Sequence, residues 1–345
     1  MNSVMHKITA LLWLALFLLF ATFVFSKQLH AADQSWVKPL LNKEKVTIAV
    51  TDSGLGGLSV VADAVQKFER HHGFKNVELI FFNALFTNKG GYNSLKTRDD
   101  KVKVFSSALQ SLQDNYAPDV ILIACNTLSV IYEDTSFAHT TATPVVGIVE
   151  DGVEQIKEKI GGNPAAKNII FATQTTISEN SHKNGLMTQG VAADQIMTQA
   201  CPELTLYIEQ GFDSMETELL IDAYVDEAVS QLEKTTDPLY VSFNCTHFGY
   251  SLDLWKQAFD ARDIAVAGFL NPNTKMINFL LHDENQNRFA ATNIKVQVIS
   301  MTDIPADRQA SIGRYLQGIS PLTAKALATF EQKPNLFEWR NLVSH

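Results

Sequence analysis

Val46-Thr47-Ile48-Ala49-Val50-Thr51-Asp52-Ser53-Gly54-Leu55-Gly56-Gly57-Leu58-Ser59-Val60 is the stretch that decides the fold class. A β-branched apolar run stops at an acid, a hydroxyl and three glycines, and an amphipathic helical pattern follows. This is a strand, a tight polar turn and a helix. In open α/β sheets ligands bind at the carboxyl ends of the strands. The glycines allow close approach of backbone to a ligand, and the helix amino terminus offers unpaired N–H groups. A carboxylate at Asp52 repels phosphate, so the turn suits chemistry on a small molecule better than a nucleotide cradle.

Outward from this turn the same alternation repeats. Strands are expected over 47–50, 77–82, 120–124, 144–149, 168–173, 240–243, 264–269 and 294–300, with helical patterns over 99–116, 151–160, 216–234 and 273–281. This order predicts an α/β protein whose mainly parallel sheets are covered by helices on both faces. The segment 321–345 reads as a C-terminal helical appendage.

At 345 residues, 46% hydrophobic and 19% charged, the chain has material for about two domains. Its 28 basic and 37 acidic residues give a net charge of −9 with no basic stripe, which argues against nucleic acid as a partner. Three cysteines cannot form a disulfide framework, and no Cys-x-x-Cys or His-x-x-x-His spacing suggests a metal. Ile8 to Phe25 is an unbroken apolar run, preceded by Lys7 and followed by Ala31-Ala32. Residues 1–32 therefore read as a signal peptide or, uncleaved, as a membrane anchor. Both versions put the rest of the chain outside the cytoplasm, in the periplasm or tethered to the outer face of the inner membrane.

The strand ends echo one another. Val120-Ile121-Leu122-Ile123-Ala124 runs into Cys125-Asn126-Thr127, and Leu239-Tyr240-Val241-Ser242-Phe243 runs into Asn244-Cys245-Thr246-His247. Asp52 precedes Cys125 by 73 positions, and Thr173, which follows Ile169-Ile170-Phe171-Ala172, precedes Cys245 by 72. Matching intervals with matching chemistry predict two pseudo-symmetric α/β halves, each delivering a cysteine to a shared cleft.

Two opposed thiols suit one kind of reaction. A cysteine at a strand end beside a helix amino terminus has its thiolate favoured by the dipole and by backbone donors. One thiolate abstracts a proton while a neutral thiol opposite returns one to the other face, which inverts a stereocentre. Asp52 is available to serve Cys125, and His247, two residues after Cys245, to serve the second thiol. Glu150 is a further acid, at a strand end or helix start.

Together Asp52-Ser53-Gly54-Leu55-Gly56-Gly57, Ala124-Cys125-Asn126-Thr127, Pro144-Val145-Val146-Gly147-Ile148-Val149-Glu150, Ala172-Thr173-Gln174-Thr175-Thr176 and Cys245-Thr246-His247 resemble the glutamate racemase family, within the aspartate/glutamate/hydantoin racemase superfamily. The motifs stand in the family's order over about Lys45 to Leu316. The resemblance implies a racemase that needs no cofactor, with two α/β domains and the active site between them. It assigns Cys125 and Cys245 as catalytic, Asp52, Glu150 and His247 as assisting groups, and Ser53, Asn126, Thr127, Thr175, Thr176 and Thr246 as substrate-binding. It also implies interleaved domains, 45–143 plus 263–320 for the first and 144–262 for the second, and a possible homodimer acting on a small amino acid.

Three features depart from the family. The loop Asn83 to Ser94 lacks the family's Pro-Tyr pair, Phe248-Gly249-Tyr250 follows His247 where an aromatic and a proline are usual, and the amino terminus carries an export pattern. The primary expectation is an exported amino-acid racemase with an acidic substrate preferred. A racemase for aspartate or another amino acid, and an exported amino-acid-binding or sensing protein without turnover, are the alternatives. A thiol hydrolase is weaker, because it has no use for a symmetric pair of thiols.

Overall fold

A computed structural model of the protein describes residues 34–232 and 237–344. The expected leader over 1–32 lies outside the described residues. Residues 34–43 carry a single 3-10 turn, Gln34–Trp36, and a short helix, Val37–Leu41. No helix among the described residues is long and apolar enough to cross a membrane.

From Lys45 onward the chain builds two sheets. The first contains β1 (Lys45–Asp52), β2 (Asn76–Asn83), β3 (Val120–Ile123), β4 (Val145–Gly147), β9 (Asn293–Ser300) and β10 (Glu331–Gln332), in the order β10-β9-β2-β1-β3-β4. The second contains β5 (Lys167–Ala172), β6 (Ile196–Ala200), β7 (Leu239–Asn244) and β8 (Val266–Leu270), in the order β6-β5-β7-β8. Every pairing is parallel. The run β2-β1-β3-β4 has the same order as β6-β5-β7-β8, so each half has one switch point, at β1/β3 and at β5/β7. Asp52 and Cys125 stand at the first, and Thr173 and Cys245 at the second. Switch points are where open α/β sheets leave a crevice for ligands.

The central strands bury both faces, as helix-covered parallel strands must. All four residues of β3 are buried, and in β1 only Lys45 is exposed. Helix Leu58–His71 presents Leu58, Val61, Val65 and Phe68 to the sheet at helical spacing and ends at His72, whose φ of 53° is left-handed. Helix Arg98–Tyr116 starts at Thr97, whose side chain accepts from Asp100 N. Removing such a cap costs about 1 kcal/mol.

Four expectations need correcting. The strand expected over 264–269 does not return to the first domain; as β8 it pairs with β7, and the chain rejoins the first sheet only at β9. The strand expected over 144–149 ends at Gly147, belongs to the first sheet, and gives way to helix Ile148–Ile160. The helix expected over 273–281 is instead two single turns, Pro272–Thr274 and Asn278–Leu280. There the Asn273 side chain is held by Ser59 Oγ and the carbonyl of Thr246, and such outside partners override local helical propensity. The C-terminal segment is no appendage. After helix Pro321–Ala328, β10 extends the first sheet, and Leu336 and Phe337 are buried in that domain's core. Trp339 packs on Phe86 with ring centroids 4.8 Å apart, so the tail supports the loop that follows β2. Strands β6 and β10 carry no strand pattern in sequence: Ile196-Met197-Thr198-Gln199-Ala200 lacks a β-branched run and Glu331-Gln332 is polar.

Candidate active site

Each switch point delivers one thiol. Cys125 follows β3 in extended conformation and caps the one-turn helix Asn126–Ser129; Cys245 follows β7. Both are free, and both are 5% exposed. The third cysteine, Cys201, is also free and buried, and follows β6, the neighbour of β5.

Around the first thiol, Ser53 Oγ is 3.2 Å from Cys125 Sγ. The Asp52 carboxylate accepts from Ser53 N at 2.6 Å and from Thr246 Oγ1 at 2.8 Å. Burial raises the Asp52 pKa, against the pull of His247, Thr246, Cys125 and Ser53. Burial and the Asp52 charge also push the Cys125 thiol well up, despite hydrogen bonds from Ser53 and Leu128. The expected help from a helix amino terminus comes here from a helix of only four residues, and burial beside a carboxylate works in the opposite direction, raising the proton affinity of Cys125.

Around the second thiol, Cys245 Sγ is 3.8 Å from His247 Nδ1, and His247 Nε2 is 2.8 Å from Glu209 Oε1. Burial opposes a charge on His247, but Cys245 and Glu209 outweigh it and raise its pKa well above the usual histidine range. Burial likewise opposes the Glu209 carboxylate, yet its bonds to His247 and Leu55 N and the nearby Arg308 hold its pKa down. The second thiol thus sits beside an imidazolium and the first beside an acid, an asymmetry that separates their roles.

The acid partner of His247 is therefore Glu209, from the short helix Leu204–Gln210. Glu150 is exposed in the first turn of helix Ile148–Ile160, where its charge faces the helix amino terminus. Glu150 closes a recognisable strand-like motif, Pro144 to Glu150. Glu209 left only a faint signal, an acid beside Ile208 on a helix whose buried residues are Leu204, Ile208 and Glu209.

Two of the three glycines of the opening turn, Gly54 and Gly56, serve packing against the other domain, while Gly57 lies against Ala124 and Asp52 of its own. A Cβ on Gly56 would collide with Thr246 Oγ1 and lie 2.6 Å from His247 Nδ1, and one on Gly54 would lie 2.8 Å from Glu209 Oε1. Asp52 and Leu55 thereby reach second-domain partners through a turn without side-chain bulk.

Of the expected substrate-binding residues, Ser53 and Thr246 lie against Cys125 and Asp52, and the remaining threonines part into two places. Thr127, Thr173 and Thr176 form a buried hydroxyl cluster with Oγ1 separations of 2.8, 3.0 and 3.4 Å. Thr175 faces the other way, 3.4 Å from Asn93 Oδ1 and 3.1 Å from Lys101 Nζ. The Asn126 amide and the Tyr92 hydroxyl are buried with no hydrogen-bond partner among the described residues. Orphaned groups of this kind cost about 1–3 kcal/mol each and mark positions where a polar ligand can complete the bonding. Among the described residues no group of three or more His, Cys, Asp or Glu side chains could hold a metal.

The Asp/Glu/hydantoin racemase family model matches residues 48–235. Glutamate racemase of Clostridium novyi (strain NT) is 25% identical over 244 residues, 70% of this chain and 86% of that protein. Glutamate racemase of Sulfurihydrogenibium sp. (strain YO3AOP1) is 29% identical over 203 residues, 58% of this chain and 70% of that protein. In fold, the chain is similar to glutamate racemase from Francisella tularensis subsp. tularensis SCHU S4 in complex with D-glutamate, with a TM-score of 0.59 at 22% identity, covering 80% of this chain and 94% of that one. The Campylobacter jejuni subsp. jejuni glutamate racemase gives a TM-score of 0.58 at 20% identity, covering 79% and 98%.

Proposed function

Because this chain belongs to the Asp/Glu/hydantoin racemase family, we propose that it interconverts the enantiomers of an acidic amino acid through Cys125 and Cys245. The observation that carries this reading is the pair of cysteines at equivalent strand ends, each with its own proton-handling neighbour: Asp52 and Ser53 at Cys125, His247 and Glu209 at Cys245.

In the proposed reaction one cysteine, as thiolate, takes the α-proton. The C–H bond breaks, its electron pair stays on the substrate and delocalises into the α-carboxylate, and an S–H bond forms. The opposite thiol then gives its proton to the other face of the carbon and leaves as thiolate. The hydrogen-bonded His247 can hand protons to and from Cys245, and the raised proton affinity of Cys125 suits it to the donor role. With the other enantiomer the roles exchange.

Lys101 supports an acidic side chain on the substrate. It is half-buried, its Nζ bonds the Thr175 hydroxyl at 3.1 Å, and burial lowers its pKa against the pull of Glu179. A substrate carboxylate would give it an anionic partner. The apolar run Ile8 to Phe25 supports an enzyme working outside the cytoplasm.

Incubating the purified protein with single L-amino acids in deuterated water tests the reading. Loss of the α-proton signal together with appearance of the D-enantiomer is expected for glutamate or aspartate. Binding of an amino acid with no α-exchange would favour a sensing protein instead.

A further inference from the structure

Arg308 stands on helix Ala306–Gln317 of the first domain, outside every motif that carries the family resemblance. Its Nη1 is nevertheless 3.0 Å from Glu209 Oε2 in the second domain. We propose that Arg308 is a positioning residue for the Cys245 half of the reaction, fixing the Glu209 carboxylate so that His247 is held against Cys245. The proposal rests on the racemase reading above.

The two oxygens of Glu209 have different attachments. Oε1 accepts from Leu55 N at 2.8 Å and bonds His247 Nε2 at 2.8 Å, while Oε2 is bonded by Arg308. The side chains of Arg308 and Glu209 are 15% and 7% exposed, so little solvent is available to replace either partner. The terminal torsion of a glutamate is broad. Without a donor on Oε2 the carboxylate can turn, and the bond that sets the His247 ring turns with it. Nδ1 of that ring is the atom beside Cys245 Sγ.

Two acids act on His247, Glu209 through its 2.8 Å bond and Asp52 through its charge, and Arg308 is the cation paired with the first of them. Two of the three attachments, Leu55 N and Arg308, come from the first domain. The acid/base apparatus of Cys245 is therefore complete only when the domains are closed on one another.

The test compares Arg308→Met and Arg308→Lys with the wild type, all three checked by thermal melting for an intact fold. Racemisation has an equilibrium constant of one, so kcat/KM must fall equally in both directions, by about 10- to 100-fold for loss of a charged hydrogen bond in the Met protein. Isotope effects with α-deuterated substrates separate the two half-reactions. The enantiomer that Cys245 deprotonates is identified as the one that a Cys245→Ser protein no longer exchanges. For that enantiomer the isotope effect should rise in Arg308→Met, and for its mirror image it should shrink towards unity. Arg308→Lys should restore much of the rate and the wild-type pattern. Isotope effects that change equally for the two enantiomers, or a Lys protein no better than Met, overturn the positioning role while leaving the racemase reading in place. A wild-type protein that exchanges no α-proton removes both.

Discussion

Thr246 Oγ1 donates a 2.8 Å hydrogen bond to Asp52 Oδ2, joining the turn after β7 to the end of β1 across 194 residues. Its counterpart runs the other way, from Leu55 N in the first domain to Glu209 Oε1 in the second, also at 2.8 Å. Each acid of the candidate site is therefore tied to the domain opposite its own. Tyr250 Oη adds to the seam by donating to the carbonyls of Leu55 and Gly56 at 2.9 and 3.1 Å.

The two thiols should be separately indispensable. Changing either Cys125 or Cys245 to Ser removes one acid/base group, and racemisation should fall by at least about 100-fold, in the range of general acid–base contributions. Each variant should retain some α-exchange with one enantiomer only, read by proton NMR in deuterated water. Full racemisation by either protein would exclude the two-thiol scheme.

The identity of the second acid can be read from a pair of conservative changes. Glu209→Gln keeps the size but loses the charge that holds His247 protonated, so kcat should drop by about 100-fold. Glu150→Gln, at an exposed helix start, should change kcat by less than about 2-fold and stability by a few tenths of a kcal/mol. Steady-state kinetics on both proteins decide between the two carboxylates; a larger loss from Glu150→Gln would reverse the assignment.

Gly56→Ala tests the close approach of the domains. The added Cβ meets the Thr246 hydroxyl and His247 Nδ1, so the domains must separate to accommodate it. The protein should melt cooperatively yet lose most of its activity. Near-wild-type kcat/KM would mean that the seam gives way at little cost.

His182 should make the protein acid-sensitive. It is buried, its Nε2 has no partner among the described residues, and burial lowers its pKa from 6.5 to about 4. The unfolded chain takes up this proton below pH 6.5, while the folded one resists until about pH 4. Stability is thus lost as pH falls through that window, by roughly 3 kcal/mol from this group. His182→Gln should flatten the decline in denaturant midpoint between pH 6.5 and 4. An unchanged slope would place the acid sensitivity elsewhere.

Lys101→Met addresses the substrate. If Lys101 receives the side-chain carboxylate, kcat/KM for glutamate or aspartate should fall by about 10- to 100-fold, with little change for neutral amino acids. An equal loss across all substrates would assign Lys101 to the seam with Thr175 instead.

Local pattern alone located the central strands β1, β2, β3, β5, β7 and β9, the long helices after β1 and β2, and both thiols. Asp52, Cys125 and Cys245 sit where a buried strand ends, and that transition is written in consecutive residues. Intervals of 73 and 72 between strand ends likewise pointed to two similar halves, and the sheets share the order β2-β1-β3-β4 and β6-β5-β7-β8. What pattern could not supply was any pairing made between distant segments. β8 reads as a strand whichever sheet receives it, and only its hydrogen bonds to β7 assign it to the second. Glu150 is picked out by the motif that surrounds it, whereas Glu209 gains its meaning from Leu55, His247 and Arg308, which lie 154, 38 and 99 positions away. A sequence fixes which groups can carry a proton; the proton affinity of each depends on burial and neighbouring charge, and those exist only once the two domains are packed together.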